Sequence, residues 1–281
     1  MTARDERATR PRAGAERPRA AEARAVSAAS RRTPATQPRS GAAARGAAAS
    51  PAGAAPNDER RKGPTKKSLR AAAERERAAA ILARLEEANP DWGPTLTFRS
   101  PFELLIATIL AAQARDDHIN QVTPRLFAKY PGPADFARVE QEELEVDIKE
   151  TGFFRQKAKA LKAASEGLLE EFGGEVPREI DDLVRLRGVG RKTASIVVGA
   201  AYGVPSIGVD RHVERTSRRL RLTRQSDADR IELDLRALFE PRVWVKATWC
   251  LVLHGRRICA PTPRCPECPV RDLCPYPKKT I

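Results

Sequence analysis

An all-α fold is predicted for this 281-residue chain. Apolar residues recur every three to four positions through successive segments from Leu69 to Leu186, and Pro and Gly pairs punctuate those segments. Little of the chain alternates with the two-residue period of a strand. The first helical pattern starts at Lys66 and carries Leu69, Ala72, Ala73, Ala79, Ala80, Ile81, Leu82 and Leu85 before Asn89-Pro90 stops it. Ser100-Pro101 then opens Phe102–Leu110, apolar on most faces, as expected of a helix at the centre of a core. Further helices are predicted over Ile119–Tyr130, Glu140–Lys149, Arg155–Phe172 and Arg178–Leu186, with turns at Pro131-Gly132-Pro133 and Gly173-Gly174.

Residues 1–67 stand outside this pattern. They are Ala, Arg, Pro and Gly with almost no aromatic or large aliphatic residue, so they cannot bury enough surface to offset the entropy of ordering, and a disordered tail is expected. The tail holds sixteen Lys/Arg against six Asp/Glu, which is most of the chain's formal charge of +14. With a pI near 10.1, that excess points to a polyanionic partner. The tail could add affinity for DNA by counterion release or merely aid solubility. Asp5, Glu6, Glu16 and Glu22 speak against an organelle transit peptide. No apolar stretch is long enough to cross a bilayer, so no membrane role is expected.

Two features past residue 186 carry chemistry. Leu186-Arg187-Gly188-Val189-Gly190-Arg191-Lys192-Thr193-Ala194 lies between two helical patterns, with glycines flanking one apolar residue. Such glycines permit a positive-φ turn and expose backbone N–H groups where the next helix begins, which makes a cradle for phosphate. The second is Cys259, Cys265, Cys268 and Cys274, spaced Cys-x5-Cys-x2-Cys-x5-Cys. A fifth cysteine, Cys250, and an N-terminus without an apolar export segment argue against a disulfide framework and for thiolate-bound metal. A single Cys-x2-Cys knuckle with proline after three of the cysteines favours an iron–sulfur cluster over zinc. Cys250 itself, within Trp249–Leu253, is expected to be buried and inert.

The segment Leu186–Ala194, followed by Val209-Asp210-Arg211-His212 and by His254-Gly255-Arg256 running into the cysteines, resembles the helix-hairpin-helix DNA glycosylases of the endonuclease III family over about residues 69–281. The resemblance implies a two-lobed all-α fold. A helical barrel lobe would span 95–204, with the helix-hairpin-helix at about 178–200, and a 4Fe-4S cluster lobe would combine 69–94 with 205–281. It implies a bifunctional glycosylase and AP lyase of base excision repair that acts on oxidised pyrimidines and abasic sites in double-stranded DNA, as a monomer in a bacterial cytoplasm. A glycosylase for another damaged or mismatched base, and a noncatalytic iron–sulfur DNA-binding or redox-sensing protein, are the alternatives.

By the same resemblance Lys192 is the nucleophile and Asp210 its acid–base partner. Read without it, they are a phosphate-binding cation and a helix N-cap. An amine can displace a base at C1′ and persist as an iminium, which a hydroxyl cannot. Gln113 would fill the space of an extruded nucleotide and Phe153 would wedge the stack, whereas the plain readings are a helix-terminal polar residue and a core aromatic. Arg187, Gly188, Val189, Gly190 and Arg191 would seat the DNA backbone, and Cys259, Cys265, Cys268 and Cys274 would ligate the cluster. Arg211, Arg215, Arg218 and Arg219 fall near one helical face that suits phosphate or solvent equally. The chain departs from the family pattern in its first cysteine spacing, one residue short, in Arg211 where Thr is usual, and in Phe153 where Leu is expected.

Overall fold

The computed structural model describes residues 65–280. The expected tail lies outside them except for Thr65, Lys66 and Lys67, which begin the first helix. The described residues form one compact unit. Among the described residues there is no strand, and the helices are α1 (Lys66–Glu87), α2 (Pro101–Leu110), α3 (Asp116–Lys129), α4 (Pro133–Arg138), α5 (Gln141–Asp147), α6 (Phe154–Phe172), α7 (Ile180–Leu183), α8 (Arg191–Tyr202), α9 (Arg211–Arg219), α10 (Ala228–Leu238) and α11 (Trp244–Arg257).

Local chemistry sets most boundaries. The Thr65 hydroxyl accepts from Ser68 N–H to cap α1, and Ser100 accepts from Glu103 N–H to cap α2, with Pro101 at the first helical position. Pro133, which reads as part of a turn, instead starts α4: it occupies the first turn, and the Asp135 carboxylate accepts the Gly132 N–H at 2.9 Å. α7 is shorter than the predicted Arg178–Leu186: after Leu183 the chain continues in turns, with Arg185 N–H closing on Asp182 O and Leu186 N–H on Leu183 O. α9 stops at Arg219, where Arg221 takes a left-handed backbone (φ 54°) and Leu222 N–H closes on Ser217 O.

Two apolar cores result. The first surrounds α2, in which every residue but Pro101 and Thr108 is buried, and draws on α3 to α8. The second joins Ala78, Ile81, Leu82 and Leu85 of α1 to α9, α10, α11 and Val270. Cys250 is fully buried in it, as expected, and burial pushes its thiol up to about 12. No described helix is long and apolar enough to cross a membrane.

Candidate active site

A cavity of about 490 Å³ lies where the two cores meet, and both Lys192 and Asp210 line it. Each stands at a helix start. Lys192 is the second residue of α8, and Asp210 caps α9, its Oδ1 accepting from His212 N–H at 2.8 Å and Val213 N–H at 2.7 Å. Both the cap and a place in the cavity therefore hold for Asp210, and the cap leaves Oδ2 outside those two bonds. A residue the sequence gave no role brings the two together. A Cβ at Gly208 would sit 3.0 Å from Ile196 Cγ1 and 3.6 Å from Lys192 O, so its bare backbone lets the approach to Asp210 lie against the first turn of α8.

The hairpin divides its labour differently from the expectation. Gly188 has φ 85°, and a Cβ there would lie 2.7 Å from Ala160 Cβ, so glycine is required on both counts. Gly190 has an ordinary φ of −88° and open space where a side chain would point, which leaves its backbone approachable by a ligand. Two residues assigned to DNA contact are otherwise engaged. Val189 is 5% exposed in the first core, and its amide donates to Leu186 O, so it anchors the turn. Arg191 is turned away to a bidentate pair with the buried Glu232 of α10, Nε–Oε2 2.8 Å and Nη2–Oε1 3.0 Å, and this pairing raises its guanidinium pKa. Arg187 remains exposed.

Phe153 is not a core aromatic, whereas Gln113 still fits a polar residue at the end of a helix. Gln113 is exposed at the cavity, in the loop after α2, with φ 55°. Phe153 is 58% exposed ahead of α6 with φ 50°. Left-handed backbone at a non-glycine residue is costly, and among the described residues Arg221 alone shares it.

The arginine face of α9 is also reassigned. Arg215 donates to Cys259 O and Gly255 O at 2.9 Å each, and Arg219 donates to Ala260 O at 2.6 Å and Pro261 O at 2.9 Å while covering the Tyr276 ring. Those two side chains hold the cysteine loop, Arg218 pairs with Glu214, and Arg211 stays exposed at the cavity. The motif His254-Gly255-Arg256 gains a structural meaning here. A Cβ on Gly255 would strike Thr216 Oγ1 at 2.8 Å, so glycine allows α11 to press on α9. Arg256 bonds Asp116 and Thr95 at the cavity wall, and His254 is buried with Nε2 3.7 Å from Cys268 Sγ, its pKa pushed down to about 4 by burial.

Cys259, Cys265, Cys268 and Cys274 line one small cavity of about 20 Å³, closed by Leu220, Ile258 and Tyr276. No three His, Cys, Asp or Glu side chains among the described residues are grouped to hold a single metal ion. The four thiols face one common space, which is what a shared thiolate-bound metal centre requires.

Residues 106–241 match the HhH-GPD superfamily base excision DNA repair protein family. The endonuclease III of Synechocystis is 42% identical over 206 residues, covering 73% of this chain and 94% of that protein. The endonuclease III of Bacillus subtilis is 46% identical over 181 residues, 64% of this chain and 83% of its own. A solved structure of a trapped endonuclease III–DNA covalent intermediate superposes with a TM-score of 0.69 at 42% identity, over 72% of this chain and 96% of that one.

Proposed function

Because the chain belongs to the endonuclease III family of HhH-GPD base excision repair proteins, and is a DNA glycosylase and AP lyase, we propose a specific chemistry for it. It removes oxidised pyrimidines from duplex DNA, with Lys192 as nucleophile. The observation that carries the reading is that Lys192 and Asp210, from the starts of two different helices, line one cavity. The Lys192 amine adds to C1′ as the glycosidic bond breaks, and the departing base takes the bonding electrons and a proton. The C1′–O4′ bond then opens, O4′ taking a proton, to leave an iminium that acidifies the C2′ hydrogen, and loss of that proton expels the 3′ phosphate. Asp210, fixed by its two backbone bonds, relays protons and balances positive charge on the sugar.

The rest of the machinery follows. The backbone of Gly188 and Gly190 with the first turn of α8 seats a phosphate, supported by the exposed Arg187 and the open face of Gly190. Gln113 fills the vacated stack and Phe153 wedges it, supported by their exposure and left-handed backbones. The first core is the barrel lobe (95–204) and the second the cluster lobe (69–94 with 205–281). Cys259, Cys265, Cys268 and Cys274 hold a 4Fe-4S cluster, which fixes the loop that Arg215 and Arg219 grip. The protein acts on duplex DNA as a monomer in the bacterial cytoplasm, a reading that rests on the family resemblance alone.

The test is borohydride trapping on duplexes carrying thymine glycol or an abasic site, with wild type and Lys192→Ala. The expected result is a covalent adduct and a nicked strand on both substrates for wild type and neither for the variant. An adduct at the abasic site alone would overturn the pyrimidine assignment, and an adduct in the variant would overturn the role of Lys192.

A further inference from the structure

The wedge turn is built with unusual care for a surface loop. Gly152 and Phe153 are both left-handed (φ 69° and 50°), and Phe153 holds more than half of its surface in water, so its own packing does not stabilise this conformation. Hydrogen bonds from outside the turn do. Lys157, 5% exposed, donates from Nζ to Thr151 O at 2.7 Å, and its desolvation lowers its pKa. His118, on the first turns of α3, places Nε2 2.9 Å from Glu150 O. A carbonyl only accepts, so Nε2 carries the proton. Arg125, two turns further along α3, pairs with the Glu150 carboxylate.

α3 also governs the other strained residue. Gln113 precedes its N-terminus by three positions. That end is pinned to the body by Asp116, which accepts from Arg256 at 2.8 Å, and by Asn120, which accepts from Thr97 N–H and donates to Thr95 O at 2.8 and 2.7 Å. One helix therefore carries the loop of Gln113 at its start and holds the turn of Phe153 through His118.

We propose that His118 is a positioning residue for base extrusion: its bond to Glu150 O locks the wedge turn to the helix that follows the plug loop, so that Phe153 and Gln113 meet the duplex in a fixed register. This rests on the reading of those two residues as wedge and plug. Holding both before DNA arrives removes an ordering cost from extrusion, the step that a paired and stacked duplex demands and a single strand does not.

The experiment compares His118→Ala, His118→Gln and Phe153→Ala with wild type. Three readouts apply: single-turnover excision of thymine glycol from a duplex, fluorescence of a 2-aminopurine beside the lesion, and borohydride trapping at an abasic site in single-stranded DNA. For His118→Ala, duplex excision and the rise in fluorescence slow by about three- to tenfold, the loss of one neutral hydrogen bond. Trapping on the single strand is retained. His118→Gln, which keeps a donor at similar reach, recovers most of the duplex rate. Wild-type excision by His118→Ala beside a slow Phe153→Ala overturns the role of His118 and leaves the wedge standing. Wild-type excision by Phe153→Ala overturns the wedge reading beneath it. Equal loss on duplex and single strand reduces His118 to a stability residue and also overturns the proposal.

Discussion

Asp210 does two jobs in this structure, and substitution can separate them. Its Oδ1 accepts two amides of α9, at 2.8 and 2.7 Å, while its side chain lines the cavity with Lys192. Asparagine caps a helix about as well as aspartate but carries no charge and does not accept a proton at neutral pH. Asp210→Asn should therefore keep the fold nearly intact, whereas Asp210→Ala loses both capping bonds at a cost of about 0.5–2 kcal/mol. For a folded unit of this size each kcal/mol lowers Tm by roughly 2–4 °C. Activity should not follow that order. If the carboxylate relays protons and balances charge, both variants lose about 10²- to 10⁴-fold in single-turnover excision, the usual worth of a positioned acid–base group. Thermal unfolding and excision are measured on the same preparations. Excision by Asp210→Asn within about threefold of wild type, below what such a group supplies, would refute the catalytic role and leave a helix cap.

Three further outcomes follow from the geometry. Glu232→Ala strips the buried partner from Arg191 and Arg236 and should lower denaturant-measured stability by about 1–3 kcal/mol; no change would mean the pair merely balances its desolvation. Gly188→Ala and Gly190→Ala should separate: the first, at φ 85° against Ala160, destabilises the fold by about 1–3 kcal/mol, while the second leaves Tm unchanged and weakens DNA binding in a titration. Equal Tm for the two would contradict the packing seen at Gly188. Arg215→Ala frees Gly255 O and leaves Cys259 O only its 3.4 Å bond from Arg219, so visible absorbance of the proposed cluster, once reconstituted, should decay faster in chelator than in wild type; identical decay would show that Arg219 holds the loop unaided.

What the sequence determined by itself is what depends on near neighbours. The all-α class follows from a three-to-four-residue apolar period. α1 and α2 start where Lys66 and Ser100-Pro101 say they should, because caps and breakers act within one turn. The hairpin glycines, Asp210 and the four cysteines stand out in the sequence by their residue types and their order along the chain. The misread pieces are those where the same local signal has two meanings. Pro133 reads as a breaker and proves to be the first residue of α4, and an arginine-rich α9 reads equally as a phosphate or a solvent face although Arg215 and Arg219 point at the cysteine loop. Tertiary structure alone decided the partners. Arg191 meets Glu232 across 41 residues and Arg215 meets Cys259 across 44, and no periodicity encodes such pairings. Gly208 and Gly255 matter because of what packs against them, Ile196 and Thr216, and a glycine in sequence does not announce its neighbour. The left-handed backbones of Gln113 and Phe153 belong to the same class, since bulky side chains do not favour that conformation and surrounding contacts must impose it.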